Sequence, residues 1–248
     1  MTDISHNLAQ TQERIAEAAL RSGRNPTDVT LVAVSKTFPA EAVVAAYEAG
    51  ARHFGENRVG EGVDKIASVR PQIAGPQPTW HMVGHIQSRK TKQVAAHFDY
   101  VHSVDRLKIA RRLSRDAQQA ERTLPVLLEC NVSGEAAKYG FDLQDWERDE
   151  AKREAFFAAV AKILAHPAIS VHGLMTMPPL VADPETVRPV FVSLRALRDA
   201  LRERFPSADW RHLSMGMTND FEVAVEEGAT MVRIGRAIFG EREAPWGG

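Results

Sequence analysis

Hydrophobic spacing changes period repeatedly along this chain. Residues 2–22 set Ile4, Leu8, Ile15, Ala18 and Ala19 at helical intervals and stop at Ser22-Gly23, which predicts an opening helix. Strand-like runs follow at about 30–35, 52–55, 79–83, 99–103, 124–131, 169–174, 210–213 and 230–234. Helical stretches at 39–50, 57–69, 88–97, 105–120, 150–165, 185–204 and 218–227 lie between most of them. Strict strand–helix alternation implies parallel pairing through right-handed crossovers. The expected class is therefore α/β, as a single (β/α)8 TIM barrel with the N-terminal helix as an extra cover. A doubly wound open sheet is the competing arrangement, but no Gly-x-Gly-x-x-Gly turn follows the first strand.

The length of 248 residues suits one barrel of that kind. No repeat, low-complexity segment or linker divides the chain, so residues 1–248 are expected to form one domain. A net charge of −1 gives no reason to expect electrostatic capture of nucleic acid or an anionic membrane. The basic cluster Ser88-Arg89-Lys90-Thr91-Lys92 has no interleaved aromatics and reads as a solvated helix start. Cys130 is the one cysteine, which rules out an internal disulfide and a cysteine zinc cage. Its setting in Leu127-Leu128-Glu129-Cys130-Asn131 points to a buried, inert thiol. No signal pattern opens the chain and no apolar run approaches membrane-spanning length, which fits a cytoplasmic protein.

Residues just after each strand converge on one rim of a barrel, however far apart they lie in sequence. That set contains Ser35-Lys36, Gly55-Glu56-Asn57, Gly84-His85, Ser103, Asn131, Met175, Ser214-Met215-Gly216-Met217 and Arg233-Ile234-Gly235. Lys36 closes the apolar run Leu31-Val32-Ala33-Val34-Ser35. Burial beside apolar walls or cations lowers a lysine pKa and produces an amine able to attack a carbonyl. The plain alternative is a lysine snorkelling from a strand end into water.

Ser214-Met215-Gly216-Met217-Thr218 leads into a helix that Thr218 can cap, and Gly235-Arg236-Ala237 supplies a second turn beside it. Such turns aim backbone N–H groups at an anion, and barrels often hold phosphate between their last two loops. Plain capping is the alternative, with Asp220 and Glu222 already placing negative charge there. Arg233 and Gly235 share one strand face. A buried arginine needs a partner, which Glu129 or Glu56 would supply as a structural ion pair. The sharper reading sets Arg233 against the ring nitrogen of a pyridine cofactor. A lysine, a phosphate cradle and an arginine on one rim together describe a pyridoxal 5′-phosphate site.

The blocks Leu31–Lys36, Phe54–Asn57, Trp80–Gln87, His172–Met177, Leu213–Met217 and Val232–Gly235 also carry a family resemblance. In order, from about residue 30 to 240, they resemble the YggS/PROSC family of pyridoxal phosphate homeostasis proteins. The resemblance implies a monomeric barrel like the N-terminal domain of alanine racemase, with Lys36 as the Schiff-base lysine. It implies phosphate contacts from Ser214, Gly216, Thr218, Gly235 and Arg236, ring packing by Asn57 and Met175, and Arg233 near the ring nitrogen. It implies buffering or delivery of the vitamer, with PLP-dependent apo-enzymes as partners, in place of enzymatic turnover. Two departures stand out. Arg236 occupies a position where relatives commonly carry a small residue, so its backbone N–H is the expected contact. The loop at 141–155 is longer than in compact relatives.

His81 and His85 have a metal-ligand spacing but bracket a strand end, with no carboxylate at a useful offset, so no metal site is expected. Trp80 and Trp210 read as core residues. An amino-acid racemase using the same cofactor is the second functional reading, and a Schiff-base aldolase acting on a phosphosugar is the third. The racemase needs a second acid–base group opposite Lys36, and of Tyr47, Tyr100 and Tyr139 only Tyr139 falls on a rim loop. The aldolase gives Arg233 no role.

Overall fold

Eight parallel strands close on themselves in the computed structural model, which describes residues 2–135 and 138–241. They are β1 (Thr30–Val34), β2 (His53–Glu56), β3 (Thr79–Met82), β4 (Tyr100–Val104) and β5 (Leu124–Asn131), then β7 (Ile169–Met175), β8 (His212–Ser214) and β9 (Met231–Ile234). Pairing runs in that order, and β9 returns to β1 in parallel register, with Val32 opposite Arg233. The two-residue strand β6 (Phe141–Asp142) adds to β5 outside the ring. This is the expected (β/α)8 barrel.

The covering helices are α1 (Ile4–Arg21), α2 (Ala40–Glu48), α3 (Val59–Val69), α4 (Thr91–His97), α5 (Leu107–Gln119), α6 (Glu150–Leu164), α7 (Arg188–Arg204), α8 (Phe221–Glu226) and α9 (Arg236–Phe239). The first is started by Asp3, whose carboxylate accepts the His6 N–H at 3.0 Å. Its apolar stripe of Leu8, Ile15, Ala18 and Ala19 is buried against α8 and α9. Arg14 and Arg21 reach across to Glu222 and Glu226. The added N-terminal helix thus caps the seam where the barrel closes.

The main apolar core lies between strands and helices. Ala33, Phe54, Trp80, Val101, Leu128, Leu174, Leu213 and Val232 face outward into it. The barrel interior is different. Its apolar cluster is small, made of Tyr100, Leu127, Met175 and Met231. His81, His102, Glu129, Ser214 and Arg233 are also buried among the strands. Buried polar groups are costly unless they are hydrogen-bonded. An interior this polar is therefore organised by partners more than by apolar filling.

The predicted helices at 88–97 and 185–204 each open with a 3₁₀ turn, Ser88–Lys90 and Pro184–Val187. The predicted helix at 218–227 starts later, at Phe221. Asp220 stands at the cap position in place of Thr218 without a side-chain cap bond, and its carboxylate turns back to accept the Met217 N–H at 2.7 Å. Residues 141–149 are anchored by burial of Leu143 and Trp146, with the Trp146 indole donating to Ser193 Oγ at 3.0 Å.

Candidate functional site

The C-terminal rim begins with the turn that carries Lys36. Val32 and Val34 face the barrel interior, where a Cβ added to Gly55 would lie 3.1 and 3.3 Å from their methyl carbons. The two-residue period of a strand puts Lys36 next on that face, at the mouth. Its side chain is half-buried. Ladder pairing continues to Ser35, whose N–H donates to the Gly55 carbonyl at 3.0 Å. Thr37 then takes φ 69°, a left-handed conformation that a β-branched residue adopts only under constraint.

That constraint comes from α3. The Lys65 ammonium donates to the Ser35 carbonyl at 2.6 Å, to Glu56 Oε1 at 2.7 Å and to Glu61 Oε1 at 3.2 Å. Ser35 Oγ donates to Glu56 Oε1 at 2.6 Å, and the Thr37 N–H donates to Glu61 Oε1. Both residues flanking Lys36 are therefore tied to one buried network. Burial holds the Glu56 carboxyl above the usual carboxylate range, although Lys65 pulls it the other way. The expected ion pair between Glu56 and Arg233 does not form, because Glu56 turns outward to α3. Lys65 was not singled out in the sequence. Its signal there is a lysine on the buried stripe with Gly62, Ile66 and Val69.

Arg233 enters the interior from β9 and is 5% exposed. Nη1 donates to Ser214 Oγ at 2.6 Å and Nη2 to the Thr176 carbonyl at 2.9 Å. Burial lowers its pKa to about 10, partly offset by Asp220 and Glu129, so it remains a cation at neutral pH. Glu129 contributes charge to this environment but no salt bridge with Arg233. Its Oε2 is buried and has no hydrogen-bond partner among the described residues. Burial and Asp105 push its carboxyl up to about 7 against the pull of Arg233.

Two turns face each other at the ends of β8 and β9. In the first, the N–H groups of Asp220 and Phe221 both bond the Met217 carbonyl, so those of Thr218 and Asn219 precede the first helical bonds. Gly216 sits at φ 96°, where a Cβ would come within 2.7 Å of Ala224 Cβ. In the second turn, Ile238 and Phe239 bond the Gly235 carbonyl, which leaves the N–H groups of Arg236 and Ala237 ahead of the ladder. A Cβ on Gly235 would meet the Val34 carbonyl oxygen at 2.9 Å. Arg236 Nη2 donates to Asn219 Oδ1 at 2.7 Å and joins the two turns at the exposed edge. Both acidic residues of this turn have partners: Asp220 accepts the Met217 N–H and Glu222 pairs with Arg14.

The remaining rim residues fall into place around this frame. Asn57 is half-buried with its backbone against Gly84, where a Cβ would lie 2.2 Å from the Asn57 carbonyl oxygen. Met175 is fully buried in the inner cluster. Ser214 departs from its expected setting, since its hydroxyl is enclosed between Arg233 and His102 Nδ1, the latter at 2.9 Å. His81 lies inside the barrel while His85 is on the rim, 3.0 Å from Asp105 and stacked on Tyr139. Among the described residues no group of three or more His, Cys, Asp or Glu side chains is arranged for a metal ion. Trp80, Trp210 and Cys130 are buried, and burial holds the Cys130 thiol well above its ordinary range. A rim lysine, a buried cation and N–H groups from two adjacent turns that have no partner among the described residues fit an aromatic aldehyde bearing a phosphate, the chemistry of pyridoxal phosphate.

The sequence profile of the alanine racemase N-terminal domain matches residues 3–243. The chain is 43% identical over 245 residues to the pyridoxal phosphate homeostasis protein of Escherichia coli K12, covering 98% of each. It is 42% identical over 246 residues to the protein of that name from Vibrio cholerae, again covering 98% of each. Among solved structures, PipY of Synechococcus elongatus with PLP bound is 36% identical, with TM-score 0.77, covering 92% of this chain and 99% of that one. Alanine racemase of Clostridium difficile shares the fold at TM-score 0.67 and 14% identity, matched over 58% of its length.

Proposed function

This chain belongs to the alanine racemase N-terminal domain family, within it to the pyridoxal phosphate homeostasis proteins, and on that premise we propose that it binds pyridoxal 5′-phosphate at the C-terminal rim and buffers or delivers it. The observation that carries the reading is the strapped turn at Lys36, facing two turns whose leading N–H groups have no helical partners. Bound there, the vitamer supplies an aldehyde for reversible capture and a phosphate for anchoring.

Lys36, two residues beyond Val34 on the inward face, would hold the vitamer through its aldehyde. Thr218, Arg236 and their neighbours would hold the phosphate with backbone N–H groups, with Gly216 and Gly235 letting the two turns approach. Asn57 would pack against the ring, and Met175, which has no exposed surface, would support that wall from within the inner cluster. Arg233, fixed by two acceptors, would lend its charge to the ring nitrogen and keep that atom unprotonated. Such a ring withdraws electrons weakly, which favours holding the vitamer over carbanion chemistry.

The geometry offers little to the racemase reading. Tyr100 is committed to His172 Nδ1 at 2.9 Å, and burial raises its phenol further. Tyr139 is more than half exposed and stacks on His85. The aldolase reading leaves buried Arg233 without a task.

The described residues form one barrel with its covering helices, which supports one cofactor-binding unit over residues 1–248. Among the described residues the exposed large apolar side chains, Leu20, Tyr139, Leu180 and Val192, are few, which supports a monomer. Among the described residues no helix is long and apolar enough to cross a membrane. We place the protein in the cytoplasm, where PLP-dependent apo-enzymes would receive the vitamer. Loaded protein incubated with single enantiomers of several amino acids tests the central reading. Unchanged optical rotation is expected, and turnover at ordinary enzymatic rates would favour the racemase.

A further inference from the structure

Three histidines on consecutive strands form a chain that the proposed function does not use. His53 Nδ1 on β2 lies 3.0 Å from His81 Nε2 on β3, and His81 Nδ1 lies 2.9 Å from His102 Nε2 on β4. His102 Nδ1 lies 2.9 Å from Ser214 Oγ on β8, across the barrel. That oxygen is also 2.6 Å from Arg233 Nη1. Four successive hydrogen bonds thus run from half-buried His53 to the guanidinium at the proposed site.

Charge at one end fixes the direction of the whole chain. A guanidinium only donates, so Ser214 Oγ accepts from Arg233. The Ser214 hydroxyl proton is fully buried, and its acceptor among the described residues is His102 Nδ1. His102 therefore carries its single proton on Nε2 and donates to His81 Nδ1. His81 in turn carries its proton on Nε2 and donates to His53 Nδ1. The opposite sense would leave the serine proton buried without an acceptor, which is costly in a low-dielectric interior. Burial holds His81 and His102 well below the usual imidazole range and lowers His53, so each is neutral with one donor and one acceptor.

We propose that His102 is a positioning residue for Arg233, acting through Ser214, and that His81 and His53 complete a relay locked in the Nε2–H tautomer. Ser214 holds one fixed orientation because His102 takes its proton. Arg233 then meets two fixed acceptors, Ser214 Oγ on one nitrogen and the Thr176 carbonyl on another, which sets the plane of the guanidinium. The same relay withdraws the Ser214 hydroxyl from the phosphate contact implied by the family resemblance. The consequence for the cofactor ring rests on the proposed function, whereas the tautomers rest on the relay alone.

Long-range proton–nitrogen NMR on ¹⁵N-histidine-labelled protein reads the tautomers directly, at neutral pH, with and without added pyridoxal phosphate. His53, His81 and His102 are expected as neutral Nε2–H forms in both states. A charged His81 or His102, or an Nδ1–H His102 in either state, overturns the relay. Appearance of Nδ1–H His102 only on loading would show the Ser214 hydroxyl turning to the phosphate. The visible band of the bound vitamer is followed on the same samples. Its absence alongside Nε2–H tautomers would sink the cofactor reading and leave the relay standing.

The positioning role needs a second comparison. His102→Asn keeps an acceptor at the Nδ1 place and should retain the pH midpoint of the visible band. His102→Leu should displace that midpoint by about one pH unit, a tenfold change in proton affinity. Equal midpoints in wild type and His102→Leu would overturn it. Should that variant not fold, Ser214→Ala against Ser214→Thr makes the same comparison.

Discussion

The Lys65 ammonium lies 2.6 Å from the Ser35 carbonyl oxygen, one residue before the lysine at the rim. Glu56 and Glu61 share that ammonium, and Glu61 also takes the Thr37 N–H on the other side of Lys36. The turn that carries Lys36 is therefore held from both sides by a charge network anchored in α3.

Lys65→Met should separate this support from the chemistry. Glu56 is fully buried, and removing one partner of a buried ion pair typically costs about 3–5 kcal/mol. Urea unfolding at pH 8 should show a loss of that order, together with weaker vitamer retention although Lys36 is intact. The loss should shrink toward pH 5, because the Glu56 carboxyl is already raised and sheds its charge more readily. Unchanged stability and retention would remove α3 from the account.

Glu129 gives a pH dependence of opposite sense to an ordinary ion-paired carboxylate. Its folded pKa of about 7 lies above the ordinary 4.5, so the folded chain binds the proton more tightly. Its neutral form favours folding below about 4.5, and that advantage is lost as pH rises through 7. Glu129→Gln should therefore stabilise the protein at pH 8, by an amount on the order of 2–3 kcal/mol, and change little at pH 4.5. Equal effects at both pH values would show that Glu129 is paired in solution.

Buried imidazoles act in the other direction. His81 and His102 are held well below the ordinary 6.5, and His212 is lowered to about 4. The unfolded chain takes up protons below 6.5 that the folded chain refuses, so stability falls as pH falls through that range. Each such group contributes about 1.4 kcal/mol per pH unit, and together they outweigh Glu129. The urea midpoint should drop steeply from pH 6.5 toward pH 5. A flat profile would mean that these rings are charged or exposed.

The strands were legible because both their faces are covered, which leaves continuous apolar runs such as Val32-Ala33-Val34 bounded by turn residues. Lys36, Gly216, Arg233 and Gly235 were legible for a related reason, since parallel strands bring their C-terminal ends to one rim. The helix start differs from the expected Thr218 cap, because Asp220 folds back locally onto the Met217 N–H three residues earlier and the helix begins only after it. Strand β6 and helix α9 were too short to show a period. The histidine relay left no local trace. His53, His81 and His102 become neighbours only through strand register, and Ser214 joins them only because the sheet closes.

Gly235→Val tests the phosphate cradle. Its Cβ would press on the Val34 carbonyl oxygen at 2.9 Å, forcing the second turn away from the Lys36 strand. Vitamer affinity should fall by at least about tenfold in equilibrium dialysis, a loss near 1.4 kcal/mol, with the fold retained by circular dichroism. Unchanged affinity would place the phosphate elsewhere.

Borohydride reduction of protein loaded with pyridoxal phosphate, followed by peptide mapping, tests the central claim most directly. The account predicts a single modified residue, Lys36, and no fixed label in Lys36→Ala. Label on Lys65, Lys138 or any other lysine in place of Lys36 would contradict it.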